Sequence, residues 1–232
     1  MGMRESFDPQ HKAEFDRYAG SYEDMHAASI AASGETTDYF AIYKQRVLER
    51  LLGKGFARPL LDFGCGIGNL TTRLRESFPS VDGYDPSSES IKLAEERTPG
   101  ARFFDDPEAI PHDHYGAVVL ANVLHHVPPP NRPGLMKTIA QVLEKGGKIV
   151  VFEHNPLNPV TRRAVAICPF DDNAELLYPW QVTRLLKGAG LAKIDLDYIV
   201  FFPKPLAMAR PLEPSLRWLP LGAQVCATGV KR

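Results

Sequence analysis

The sequence predicts an α/β fold in which an open, mostly parallel sheet is covered by helices on both faces. Three observations carry that expectation. Short apolar runs alternate five times with stretches of helical periodicity, the pattern that places a crossover helix between parallel strands. The first run, Leu60-Leu61-Asp62-Phe63, breaks into Gly64-Cys65-Gly66-Ile67-Gly68 and resumes as Asn69, Leu70, Leu74 and Phe78 at helical spacing. Near the other end, residues 191–202 and 222–230 are two extended runs, which predicts a hairpin at the sheet edge.

Taken in order, residues 1–13 are polar, and Phe15, Tyr18 and Tyr22 then recur at helical spacing. They read as an amphipathic cover, or as a lid that sets Tyr22 over a ligand. Phe40, Tyr43, Val47, Leu48, Leu51 and Leu52 predict a helix that stops near Gly53 and Gly55. After the glycine turn and its helix, residues 81–85 form a short strand ending in Asp85, and Pro86-Ser87-Ser88 opens the next helix, with Ser87 or Ser88 as its cap. Residues 101–104 make a third strand, halted by Asp105-Asp106-Pro107. Residues 117–122 are an unbroken apolar run, as in a central strand buried on both faces. Leu135, Ile139, Val142 and Leu143 give a helical face that Gly146-Gly147 are expected to end, and residues 148–152 form the fifth strand. A last helix begins at Pro179 and ends at Gly190. The intervening segment 203–220 carries Leu206, Met208, Leu212, Leu216, Trp218 and Leu219, too apolar for a free loop: it caps the acceptor pocket, forms a dimer face or, as the default, packs on the core. The 232 residues read as a single elaborated domain: a cover or lid (1–37), a ligand-binding core (38–153) and a substrate-side insertion with the last helix and hairpin (154–232).

Composition narrows the function. Lys and Arg number 27 against 28 Asp and Glu, a net charge of -1, so the chain lacks the basic field of a nucleic-acid binder. Cys65, Cys168 and Cys226 are dispersed and form no CxxC pair, which argues against a disulfide scaffold or structural zinc and fits a reducing cytoplasm. Residues 1–15 are charged, without the apolar centre of a leader, and no run is long enough to span a bilayer. No membrane partner is expected.

Ligands of such sheets bind beyond the carboxyl ends of the strands, so the loops after Phe63, Tyr84, Phe104, Ala121 and Phe152 should surround one crevice. Spacing bears on what it holds. A dinucleotide fingerprint needs glycine at the sixth position of G-x-G-x-x-G, and here that position is Asn69. The pattern is instead Gly64-x-Gly66-x-Gly68, preceded by Asp62 and followed at the end of the next strand by Asp85. With Phe15-Asp-Arg-Tyr-Ala-Gly-Ser-Tyr22 and Asn122-Val-Leu-His-His-Val127, this set resembles the small-molecule branch of the class I S-adenosylmethionine-dependent methyltransferases.

That resemblance implies a Rossmann-like seven-stranded sheet with an antiparallel edge hairpin, and S-adenosyl-L-methionine as cofactor. It puts the methionine end against the backbone of Gly64, Cys65 and Gly66, with Gly68 and Asn69 completing the turn and Asp62 supporting it. Asp85 would accept from both ribose hydroxyls, Pro86 would lie against the adenine, and Asp106 or Asp105 would take its amino hydrogens. Pro107 removes one backbone donor from that loop. Tyr22 and Asn122 are the remaining expected cofactor contacts. For an acceptor hydroxyl, His125, His126 and His154 are the candidate bases, since histidine exchanges protons near neutrality; His126 also reads as a residue that orients its own loop. Related quinone O-methyltransferases carry acids where this chain has Asn122 and His125, so no metal is implied. Arg162 and Arg163 read as a solvated pair, or as partners of an anionic acceptor group. The expected acceptor is a small molecule, through a sugar or secondary-metabolite hydroxyl; an RNA or protein methyltransferase and a non-catalytic S-adenosylmethionine binder are the alternatives.

Overall fold

The computed structural model of the chain describes residues 30, 33–53, 55–168 and 174–232. The aromatic stripe of Phe15, Tyr18 and Tyr22, with its expected lid, lies outside those residues, as do residues 169–173 of the insertion. Helix α1 is Thr37–Leu52. The Thr36 hydroxyl accepts from the Tyr39 amide at its start, and Gly53, at φ 90°, closes it. Strand β1 (Leu60–Phe63) leads through the glycine turn into α2 (Asn69–Ser77), β2 (Val81–Tyr84), α3 (Ser88–Arg97), capped by Ser87, and β3 (Arg102–Phe104). Then follow β4 (Tyr115–Ala121), α4 (Arg132–Val142), β5 (Leu143–His154), α5 (Pro159–Ala166), α6 (Pro179–Gly188), β6 (Ala192–Ile199), α7 (Glu213–Leu216) and β7 (Gln224–Val230).

The strands form one seven-stranded sheet in the order β3-β2-β1-β4-β5-β7-β6. Pairing is parallel from β3 to β5 and antiparallel at β5-β7 and β7-β6, so β7 inserts itself between β5 and the edge strand. The chain reverses direction between β3 and β4, on either side of β1, which opens a crevice at the carboxyl ends of β1 and β4.

Strand alternation divides the interior in two. Leu61, Phe63, Val118, Leu120, Ile149 and Val151 point to a face covered by α4 and α6, where Leu135, Ile139, Val182 and Leu186 meet them. Leu60, Val119, Val150 and Phe152 point to the other, beneath Ala41, Val47 and Leu48 of α1 and Leu70 and Leu74 of α2. Among the described residues, no helix is long and apolar enough to cross a membrane.

Two expectations are corrected. The glycine pair 146–147 does not end α4, which stops at Val142. The pair lies inside β5, whose pairing with β4 shifts register between Tyr115 and Ala117. Gly146 has φ 76°, and a Cβ on Gly147 would stand 2.8 Å from the Glu144 carbonyl oxygen, so the bulge needs glycine and the strand runs through it. The proline-rich segment does not pack its large side chains on the core. Residues 204–212 form a 3₁₀ helix followed by α7, and Met208 is 98% and Trp218 74% exposed. A polar anchor holds the segment: buried Glu213 accepts from the Tyr43 hydroxyl (2.6 Å) and from the amides of Phe201 and Phe202 (both 3.1 Å).

Leu48 is wholly buried between α1 and the sheet. Leu48→Ala is expected to cost about 2–5 kcal/mol in urea denaturation, the range for an unfilled core cavity. A loss below about 1 kcal/mol would mean that α1 is not part of this core.

Candidate functional site

The glycine turn is shaped by its own hydrogen bonds. The amides of Gly64 and Cys65 both donate to the Tyr84 carbonyl, at 2.7 and 2.9 Å, and the Gly68 amide donates to the Cys65 carbonyl at 3.0 Å. The Gly66 amide donates to Asp85 Oδ2 at 2.9 Å, while Asp85 Oδ1 accepts from the Ser87 amide at 2.9 Å. One buried carboxylate therefore ties the β1-α2 turn to the start of α3. Gly64, Gly66 and Gly68 have φ of 80°, 52° and 83°, a region costly for residues with a Cβ. The space around them differs. A Cβ on Gly64 would strike Val123 at 2.5 Å and one on Gly68 would meet Ala94 at 3.1 Å, whereas one on Gly66 would have nothing within 4 Å. Among the described residues, the turn is packed below and open above Gly66.

These bonds bear on the backbone of Gly64, Cys65 and Gly66, against which the resemblance sets the methionine end. Three of its donors, from Gly64, Cys65 and Gly66, are already engaged within the chain. Asn69, the first residue of α2, turns its side chain away: its Oδ1 accepts from an Arg97 guanidinium nitrogen at 2.9 Å.

Beneath the turn lies Asp62, 1% exposed. Its Oδ2 accepts from the Thr71 hydroxyl at 2.7 Å, and its Oδ1 is buried with no hydrogen-bond partner among the described residues. Burial pushes the carboxyl up to about 7; the Asp85 charge adds to the rise and the Thr71 bond opposes it. Lys44 of α1 is buried as well, and desolvation draws its ammonium down to about 8 against the attraction of Asp62 and Glu153. Asp105 is exposed and accepts from the Ser88 hydroxyl (2.7 Å); Asp106 caps a 3₁₀ turn by accepting from the Glu108 amide (3.0 Å). Pro86 is half-buried between Asp85 and α3.

The second half of the crevice is built around Glu153, fully buried near the end of β5. Its Oε1 accepts from the amides of Val123 (3.1 Å) and Leu124 (2.7 Å), and its Oε2 lies 2.5 Å from His125 Nδ1. Burial by itself would raise this carboxyl, but the His125 charge and hydrogen bond, with help from His154 and the Leu124 amide, hold it below the usual range. His125 is itself 2% exposed, so it is a core partner of Glu153 rather than an open side chain. His126 and His154 are half-buried, their neighbouring rings centred 4.1 and 5.1 Å from His125. Asn122 takes φ 60°, its amide donating to the Phe152 carbonyl at 2.9 Å. Beside it Gln224, paired in register with His154, has a buried Oε1 with no partner among the described residues.

The fold thus brings Asp62, Gly64, Cys65, Gly66, Gly68, Asp85 and Pro86 to one end of the crevice and Asn122, His125, His126 and His154 to the other, with Asp105 and Asp106 on its β3 side. Tyr22 lies outside the described residues. Glu153, Lys44 and Gln224 were not foreseen. Two of them left a signal: Glu153 is an acid at the end of the apolar run 149–152, and Lys44 occupies a position on the inward stripe of α1 with Ala41, Val47 and Leu48.

A family model described as a methyltransferase domain matches residues 36–196. An uncharacterized methyltransferase of Bacillus cytotoxicus is 30% identical over 142 residues, which is 59% of this chain and 63% of that relative's length. Among solved structures, a methyltransferase of Thermotoga maritima titled as S-adenosylmethionine-dependent and a possible histamine N-methyltransferase superposes with a TM-score of 0.68 at 18% identity, covering 94% of this chain and 98% of that one. A methyltransferase of Archaeoglobus fulgidus, also titled S-adenosylmethionine-dependent, gives 0.64 at 16% identity over 82% of this chain and 94% of its own. The sheet order, the glycine turn between two acids and a family match across most of the chain lead to one conclusion: this chain belongs to the methyltransferase domain family.

Proposed function

We propose that the chain transfers a methyl group from S-adenosylmethionine to a hydroxyl of a small-molecule acceptor. The observation that carries the reading is the buried Asp62 carboxylate, whose Oδ1 has no partner among the described residues, beneath a turn that those residues leave open above Gly66. A buried acceptor of this kind favours a ligand that brings positive charge and N–H donors. With Asp85 close by, the site would repel the pyrophosphate of a dinucleotide. It suits the ammonium and sulfonium of S-adenosylmethionine.

Asp85, whose oxygens accept from the Gly66 and Ser87 amides, would also accept from the ribose hydroxyls. Lys44 would balance the carboxylate of the methionine end, and Asp106 and Pro86 would border the adenine. When bound, the cofactor supplies an electrophilic methyl group on a sulfonium whose departure leaves a neutral thioether. The chain's task is then to hold an acceptor lone pair in line with it. Gln224 Oε1 and Asn122 would orient the acceptor, and His154 would take the hydroxyl proton. His125, locked by Glu153, positions this loop rather than accepting a proton itself.

Three measurements test the reading. Asp85→Ala should weaken S-adenosylmethionine binding by about 1.5–3 kcal/mol in calorimetry, the range for charged hydrogen bonds; an unchanged affinity would place the ribose elsewhere. Because Asp62 titrates at about 7, cofactor affinity should fall as pH drops through that value and the carboxylate is neutralised, and Asp62→Asn should abolish this dependence. Against a panel of hydroxyl and amine acceptors, His154→Ala should reduce methylated product at least tenfold with cofactor affinity unchanged. Cofactor binding without product from any acceptor would instead make the protein a binder.

A further inference from the structure

At the edge of the sheet farthest from β3, α1 and the segment after β6 enclose a cleft of about 360 Å³. Helix α1 contributes Tyr39, Tyr43, Arg46 and Arg50, spaced along one stripe, and the facing segment contributes Arg210 and Arg217. None of the described residues that line the cleft belongs to the glycine turn or to the loops after β2 and β4. Its volume falls within the range of small-ligand sites.

Four guanidinium groups face this space, and the nearby carboxylates leave them short of negative charge. Arg210 pairs with Glu35 and lies over the Tyr39 ring, 4.5 Å from its centre. Arg50 and Arg217 share a single oxygen, Asp197 Oδ2, at 3.3 and 3.0 Å. Glu213 is committed to Tyr43 and two backbone amides. Arg46 has no hydrogen bond or ion pair among the described residues. The Tyr39 hydroxyl is a second, independent sign: it is buried without a hydrogen-bond partner among the described residues, and burial raises it to about 12, so it remains a donor. Ile42, Val47, Ile199 and Pro214 supply the apolar part of the lining.

We infer that this cleft is a second binding site, for a small organic oxyanion in which a phosphate monoester or carboxylate is joined to an apolar body. The anion meets Arg46, Arg50 and Arg217, whose planar forks match either group, and supplies the acceptor that the Tyr39 hydroxyl lacks. The body rests on the aliphatic lining.

Phenyl phosphate and benzoate, titrated calorimetrically into the full chain at low ionic strength, test the inference. At least one should bind saturably, and preference between them tells a phosphate monoester from a carboxylate. Arg46→Glu should weaken that binding about tenfold or more. Arg46 is exposed and has no partner among the described residues, so an unchanged melting temperature will show that the fold is intact. Tyr39→Phe should weaken it several-fold, and neither substitution should alter the affinity for S-adenosylmethionine, which separates this site from the proposed cofactor site. Absence of saturable binding by both probes, or equal affinity in Arg46→Glu, would overturn the inference.

Discussion

The crevice depends on the Asp85 carboxylate. One oxygen takes the Gly66 amide and the other the Ser87 amide, so the turn after β1 and the turn after β2 are fixed to each other across the carboxyl edge of the sheet. Packing reaches Gly64 and Gly68 but, among the described residues, leaves Gly66 open, so the bond to Asp85 is what fixes the middle of the turn. Hydrogen bonds to a charged acceptor are the stronger kind, and here they are buried. They also bring two carboxylates, Asp62 and Asp85, near one another, and that repulsion contributes to the raised titration of Asp62. The turn is built with an electrostatic debt that a cationic ligand relieves.

Glu153 does the corresponding work on the other side. An ionised acid inside a central strand would be unfavourable alone, but two amides and His125 satisfy it. The loop after β4 is thereby bound to the end of β5, where Asn122, His126 and His154 gather. Glu213 repeats the device at the sheet edge, fastening the proline-rich segment through Tyr43 and two amides while Met208 and Trp218 remain in solvent. Three buried acids thus set the positions of three loops, while the apolar faces set those of the helices.

Much of the fold was legible in the residues. Alternating apolar runs located β1 through β4, Gly53 and Pro179 marked helix ends, and the two late extended runs gave the hairpin. The misreadings have physical causes. Gly146-Gly147 reads as a helix stop because glycine ends helices and permits strand bulges by the same freedom. The segment 203–220 reads as core because its residues are apolar, and only its tertiary partner shows that an acid anchors it. At the site, Asp62, Gly66 and Asp85 could be picked out by spacing, but the engagement of the turn's amides could not.

What the sequence determined by itself was local: the periods of strand and helix, the position of the glycine turn and the acids flanking it, because these rest on backbone geometry within a few residues. The tertiary structure decided which polar groups are buried and with whom. Tyr43 and Glu213 are separated by 170 residues and His125 and Glu153 by 28, and neither pairing leaves a periodic trace. Burial then sets the chemistry, leaving Asp62 Oδ1 and the Tyr39 hydroxyl without partners among the described residues and giving Lys44 and Asp62 their shifted titrations. A charge's cost depends on the solvent it loses, and that is a property of the assembled fold.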